Sequence, residues 1–165
     1  MRSRSMTQET FTIPGSAERV PVHTAEEFNR RIDDDIIARV HFLATRPDKI
    51  DERLSELDRE WDVERSLEAN ASALAFAGIV LGVTGRRRWL ALPALVSAFL
   101  FQHAVQGWCP PLPLLRRLGF RTTQEIERER YALKAVRGDF DEVLALVGPP
   151  EERARKALEA AERPH

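Results

Sequence analysis

The chain has 165 residues, with 25 basic and 26 acidic side chains, a net charge of -1 and a single cysteine. That length builds one compact unit or one unit with tails. One cysteine excludes an internal disulfide framework, and the even charge balance removes the broad basic field that a nucleic-acid partner requires.

Residues 1–23 contain Pro14, Gly15 and Pro21 and show no sustained period, which predicts a flexible N-terminal arm. Its arginines have no apolar run behind them, so no cleavable secretory signal is expected. Residues 24–68 read as an amphipathic helical arm. Thr24-Ala25-Glu26-Glu27 has the form of a capping box. Phe28, Ile32, Ile36, Val40 and Leu43 then recur every three or four residues until Pro47. A second start at Asp48 leads into the stripe Ile50, Leu54, Leu57 and Trp61, with the helix running on past Arg65.

Polarity changes sharply at residue 69. Arg86, Arg87 and Arg88 are the only charged side chains from Ala69 to Leu115, so the other 118 residues hold 48 of the 51 charges. Residues 69–85 make roughly 25 Å of helix and residues 89–108 roughly 30 Å, at about 1.5 Å per residue. The second length matches a bilayer core and the first is at its short limit. Segment 69–115 is therefore predicted to be a transmembrane hairpin turning at Gly85 to Arg88. The competing reading is a buried core hairpin of a soluble protein, but the flanking helices have single narrow apolar stripes, too few to enclose it. Trp89 and Trp108 bracket the second span, as rings at the two membrane faces would. The run Pro110-Pro111-Leu112-Pro113 is expected to end that span.

Residues 116–147 form the C-terminal helical arm. A second capping box, Thr122 to Glu125, opens a helix that Gly138 closes, and Asp139 is expected to cap a short helix with Val143, Leu144 and Val147. Residues 148–165 are a charged terminal helix, frayed or surface-bound. Asp48 to Glu68 has net charge -5 and Arg116 to Arg137 net +4, which predicts that the two arms pack with opposite signs facing. Arg86 to Arg88 favour a cytoplasmic turn, whereas Arg116, Arg117, Arg121, Arg128 and Arg130 favour cytoplasmic arms. Both termini are expected inside, because export of long charged arms costs more than export of a four-residue turn.

Candidate functional residues are few. Ala71, Ala75, Gly78 and Gly82 recur about every four residues on the first span, the spacing that permits close helix packing in lipid. His103 and Gln106 share a face of the second span and are expected to hydrogen-bond between helices, within one chain or in an oligomer. Cys109, beside the helix break, is either a packing cysteine or a reactive thiol; a haem ligand or persulfide carrier is the alternative chemistry, with His103 as a further ligand candidate. Arg116, Arg117 and Arg121 would supply positive surroundings for such a thiol. No catalytic residue, metal site or cofactor is otherwise expected, since no acid–base pair, phosphate loop or metal-spaced cluster appears.

Gly107-Trp108-Cys109-Pro110, followed by Leu115, Leu118-Gly119 and Thr122, resembles the YgaP-type inner-membrane domain, a bacterial family of two-helix hairpins. The resemblance spans roughly residues 66–123. Pro111, Pro113 and the Arg116-Arg117 pair depart from the shorter family ending. Some members of that family join the hairpin to a rhodanese domain, which implies a link to sulfur chemistry; no rhodanese active-site loop occurs in this chain. The fold class expected is all-α, a two-helix transmembrane hairpin with amphipathic cytoplasmic helical arms. The function expected is a non-enzymatic anchor or assembly subunit in the bacterial inner membrane, with the lipid bilayer, further copies of itself or a membrane complex as partners.

Overall fold

A computed structural model describes residues 18–163 of the chain. Among these residues all regular secondary structure is helical: α1 (Arg19–Val22), α2 (Glu26–Ala44), α3 (Ile50–Arg59), α4 (Val63–Thr84), α5 (Ala91–Gln106), α6 (Leu112–Arg117), α7 (Thr123–Arg137), α8 (Asp141–Ala145) and α9 (Pro150–Glu162), with 3-10 turns at Pro47–Lys49 and Arg87–Leu90.

The apolar stripes identified in the sequence become a helical head. Ile50, Leu54 and Leu57 of α3 are buried together with Leu43 of α2 and with Ile126 and Leu133 of α7, while α2 and α3 both contact α7. A second cluster joins Val20, Val63, Leu67, Cys109 and Leu112 where α1, α4 and α6 meet. Burying such side chains contributes about 1.5–3 kcal/mol each. The N-terminal arm therefore ends sooner than expected. Residues 1–17 lie outside the described residues, but Arg19–Val22 form a docked helical turn, with Val20 buried.

Several helix ends differ from their sequence readings for identifiable reasons. The Thr24 hydroxyl donates to the Val20 carbonyl, closing α1, so α2 starts at Glu26 without a side-chain cap. The α3 helix does not run into α4. Glu60 turns extended and the Asp62 carboxylate accepts from the Arg65 amide, making a new N-cap. Trp61 is thereby left half-exposed outside the helices, with the Arg65 guanidinium 4.6 Å above its ring. The prolines after Cys109 do not end α5. Gly107 does, in the left-handed conformation at φ 80°, and Pro111 and Pro113 open α6, whose first turn needs no proline N–H.

The capping box at Thr122 and Glu125 forms with both of its hydrogen bonds, and Gly138 closes α7 at φ 89°. Asp139 does not cap α8. It is held by Arg137, whose hydrogen bonds and charge keep the Asp139 carboxyl below its ordinary value, and Leu144 and Val147 are exposed. The terminal helix α9 is docked rather than loose: Ala160 is buried, and Lys134 Nζ donates to the carbonyls of Ala161 and Arg163.

Helices α4 and α5 lie against each other, Gly82 beside Leu90 and Gly78 beside Pro93. The helix α4, and α5 taken together with the 3-10 turn that leads into it (Arg87–Gln106), are long and apolar enough to cross a membrane. The described residues do not wrap them. Phe76 and Val83 on α4 and Phe101 on α5 are 70%, 76% and 71% exposed, and His103 is the sole buried residue of α5. Their lower ends are fixed to the head: the Val63 amide donates to the Arg121 carbonyl, Thr123 Oγ1 donates to Asp62, and Arg19 Nη1 donates to the Ala104 carbonyl.

The contact at Gly78 is the less forgiving of the two glycine contacts. A Cβ there would come within 2.6 Å of Cδ in the Pro93 ring, whereas at Gly82 the atoms nearer than 3 Å, at 2.5 and 2.7 Å, are Cδ2 and Cγ of a Leu90 side chain that can rotate. Gly78→Ala is expected to destabilise the α4–α5 contact by about 1–3 kcal/mol, and Gly82→Ala by less. Thermal unfolding of both variants in detergent micelles checks the order; equal melting temperatures would contradict it.

Candidate functional site

Two clusters lie at the foot of the apolar helices. The first is built from charge. Glu129 of α7 has no exposed surface in its side chain, and its two oxygens are shared by three arginines. Arg53 Nε donates to Oε1 at 2.8 Å, Arg39 Nε stands 3.1 Å from the same oxygen, and Arg121 Nη1 donates to Oε2. Arg121 also makes a two-pronged contact with Glu60, at 2.7 and 2.5 Å. The expected sign contrast between the segments is thus realised, with further pairs Arg130–Asp58 and Arg137–Asp51 at the rim. Burial opposes ionisation of Glu129, but hydrogen bonds from Arg53 and Arg121 and their charges outweigh it, holding the carboxyl below its ordinary value of 4.5.

Arg116, 1% exposed, extends this knot. Its fork meets both Glu125 oxygens at 2.7 and 2.8 Å, and it also donates to Asn29 Oδ1 and the Phe120 carbonyl. The same Glu125 completes the capping box, so one carboxylate starts α7 and fixes α6 upon it. Arg116 and Arg121, expected with Arg117 to supply positive surroundings for Cys109, are committed to these glutamates instead. Glu129, Arg53 and Glu60 lie outside the candidates that the sequence marks. A signal for two of them was present: Glu129 falls between Ile126 and Leu133, and Arg53 between Ile50 and Leu57, on the buried faces of their helices.

The second cluster is apolar. A cavity of about 190 Å³ between α4 and α5 is lined by Leu67, Ala71, Leu74, Val96, Phe99 and Leu100, with Asn70, His103 and Cys109 among its walls. The left-handed turn at Gly107 folds the chain back so that His103 and Cys109 reach the same space. A Cβ at Gly107 would lie 2.3 Å from the Arg19 carbonyl oxygen, so α1 needs glycine there. Both ring nitrogens of His103 are buried without a hydrogen-bond partner among the described residues. Burial raises the Cys109 thiol above its ordinary value, which favours the neutral S–H.

The other candidates divide. Gly78 is buried against α5 and Gly82 against Leu90 of the 3-10 turn before it, Ala71 reaches the cavity, and Ala75 is half-buried on the same face of α4. Gln106 does not meet His103: it accepts from Gln102 at 3.5 Å. No group of three metal-ligating side chains occurs among the described residues. No protein-family model, curated protein or solved structure matches this chain.

The charged knot generates two expectations. Glu129→Gln leaves Arg39, Arg53 and Arg121 without their shared carboxylate and is expected to cost about 3–5 kcal/mol, whereas Arg128→Ala, which removes an exposed pair with Asp33, costs about 0–1 kcal/mol. Chemical denaturation of both variants measures the contrast. Because the folded-state value of Glu129 is depressed, its contribution is complete above the unfolded value and is lost as pH falls below about 4.5 through the folded value. Denaturation midpoints measured through this acid range should fall less in Glu129→Gln than in the parent.

Proposed function

We propose that this chain is an integral membrane protein in which α4 and α5 form a two-helix transmembrane hairpin, and that it acts as a non-enzymatic anchor or assembly subunit carrying a charged helical head. The observation that supports this reading is the exposure of α4 and α5. A soluble core hairpin would be covered by the rest of the chain, yet large apolar side chains from Leu74 to Val83 and from Trp89 to Val105 face outward. Contiguous exposed apolar surface of this extent calls for lipid or another protein. The Gly-x-Cys-Pro resemblance to the YgaP-type domain supports the bacterial inner membrane as the location in this reading.

Both termini are cytoplasmic in this reading. Arg116, Arg117, Arg121 and Arg128 follow the second span within the distance over which positive charge directs orientation, and Arg53, Arg59 and Arg65 precede the first. Together they outnumber the three arginines of the turn.

A second reading is favoured by one observation, the convergence of His103 and Cys109 on a single cavity. Here the cavity holds a cofactor or sulfur-carrying ligand and Cys109 is its chemical contact. The neutral thiol weighs against a persulfide carrier, which requires the thiolate.

Alkaline carbonate extraction of cells expressing the full chain is expected to leave it in the membrane pellet, and release into the soluble fraction would overturn the anchor reading. A cysteine placed at Arg87 in a Cys109→Ser background is expected to react with a membrane-impermeant maleimide in intact cells; protection until lysis would reverse the orientation. Cys109→Ala separates the two readings. Membrane retention with no change in bound chromophore or sulfane sulfur supports the anchor, whereas loss of a ligand present in the parent supports the chemical role.

A further inference from the structure

A second cavity, of about 230 Å³, opens between α2, α3 and the segment joining α6 to α7. Its lining includes six arginines, Arg31, Arg39, Arg53, Arg116, Arg117 and Arg121, together with Asp35 and Glu60. Most of these charges are already spoken for. Arg39, Arg53 and Arg121 share Glu129 and Glu60, Arg53 also reaches Glu56, and Arg116 takes Glu125. Arg31 and Arg117 have no acidic partner among the described residues. Even with Asp35 and Glu56 counted, the six guanidinium groups face five carboxylates, so the cleft retains positive charge.

One further donor is unsatisfied. Arg116 is almost wholly buried, and its Nε is buried with no hydrogen-bond partner although its other two nitrogens are engaged. A buried donor without an acceptor costs free energy that a bound oxyanion would recover. The glutamates hold the neighbouring forks in place before any ligand arrives, so little side-chain freedom is lost on binding. Gly119 also lines the cleft, and a Cβ built on it meets no atom within 4 Å, so the approach on that side is open.

We propose that this cleft binds a phosphate group, with Arg31 and Arg117 as the ligand-facing cations and Arg116 as the buried donor behind them. Guanidinium forks match the oxygens of a phosphate, and converging forks bind it more tightly than a point charge does. The group can belong to an anionic lipid headgroup or to a free phosphate. Arg116 and Arg117 close α6, which starts at Leu112 soon after α5 ends at Gln106. If α5 crosses the bilayer, the cleft lies near headgroup height. The lipid source rests on that membrane reading; the free-phosphate source does not.

The test uses the full chain purified in an uncharged detergent. Inorganic phosphate is titrated against chloride at matched ionic strength, with thermal stability and phosphorus NMR as readouts. In parallel, the chain is placed in phosphatidylcholine nanodiscs with and without phosphatidic acid. Arg31→Gln/Arg117→Gln is the diagnostic variant, since both side chains are exposed and have no ion pair among the described residues. Arg86→Gln/Arg87→Gln/Arg88→Gln, at the far end of α4 and α5, is the control.

The expected result is saturable, phosphate-specific stabilisation in at least one arm, weakened about 25-fold in the diagnostic variant, each arginine near an anionic group being worth a factor of about five, and unchanged in the control. A response in the detergent arm identifies free phosphate, and a response confined to phosphatidic acid discs identifies the headgroup. No phosphate-specific response in either arm overturns the proposal, as does equal binding by the diagnostic variant or equal loss in the control. Carbonate extraction fails separately: it would remove the lipid source and leave the inorganic phosphate titration to decide.

Discussion

A carboxylate with no exposed surface must be surrounded by cations, and Glu129 is surrounded by three. Arg39 comes from α2, Arg53 from α3 and Arg121 from the entry to α7, so a single ionised group ties α2, α3 and α7 to one another. Its energetic sign matters less than its selectivity. Desolvation of buried ions offsets much of their attraction, but a different packing of these helices would strand one or more charges at larger cost. Leu43, Ile50, Leu54, Leu57, Ile126 and Leu133 supply the apolar burial; the ion cluster specifies which faces meet.

That specification carries through to the apolar pair. The backbone amide of Val63 bonds to the carbonyl of Arg121, and Asp62 both caps α4 and accepts from Thr123. The residue held by Glu60 and Glu129 thus also fixes where α4 begins. At the other foot, α1 crosses Gly107, Arg19 caps a carbonyl near the end of α5, and Val20 fills the space among Val63, Leu67 and Leu112. The lower ends of α4 and α5 are held by the head, while their outward faces have no partner among the described residues. A polar, internally paired base and an unwrapped apolar pair are the two halves of the architecture, and the proposed anchor role and the proposed phosphate cleft follow from their junction.

Much of this organisation is set by residue order alone. The gap in charge from residue 69 to 115, the four-residue spacing of Gly78 and Gly82, the stripe from Ile50 to Leu57 and the capping box at Thr122 are local patterns, and local patterns survive without knowledge of the partner. Net charge also indicates that residues 48–68 and 116–137 attract. It cannot say which arginine meets which glutamate, because that depends on helix rotation and crossing. Hence Arg116 and Arg121, plausible neighbours of Cys109 by proximity in sequence, turn toward Glu125 and Glu129. Thr24 caps the wrong helix for its motif because the Val20 carbonyl is nearer once α1 has docked. The meeting of His103 and Cys109 at one cavity depends on a single left-handed glycine. What a chain can decide by itself is composition along a helix face; what it leaves to the fold is pairing across faces, because pairing energies depend on distances that exist only after the helices have met.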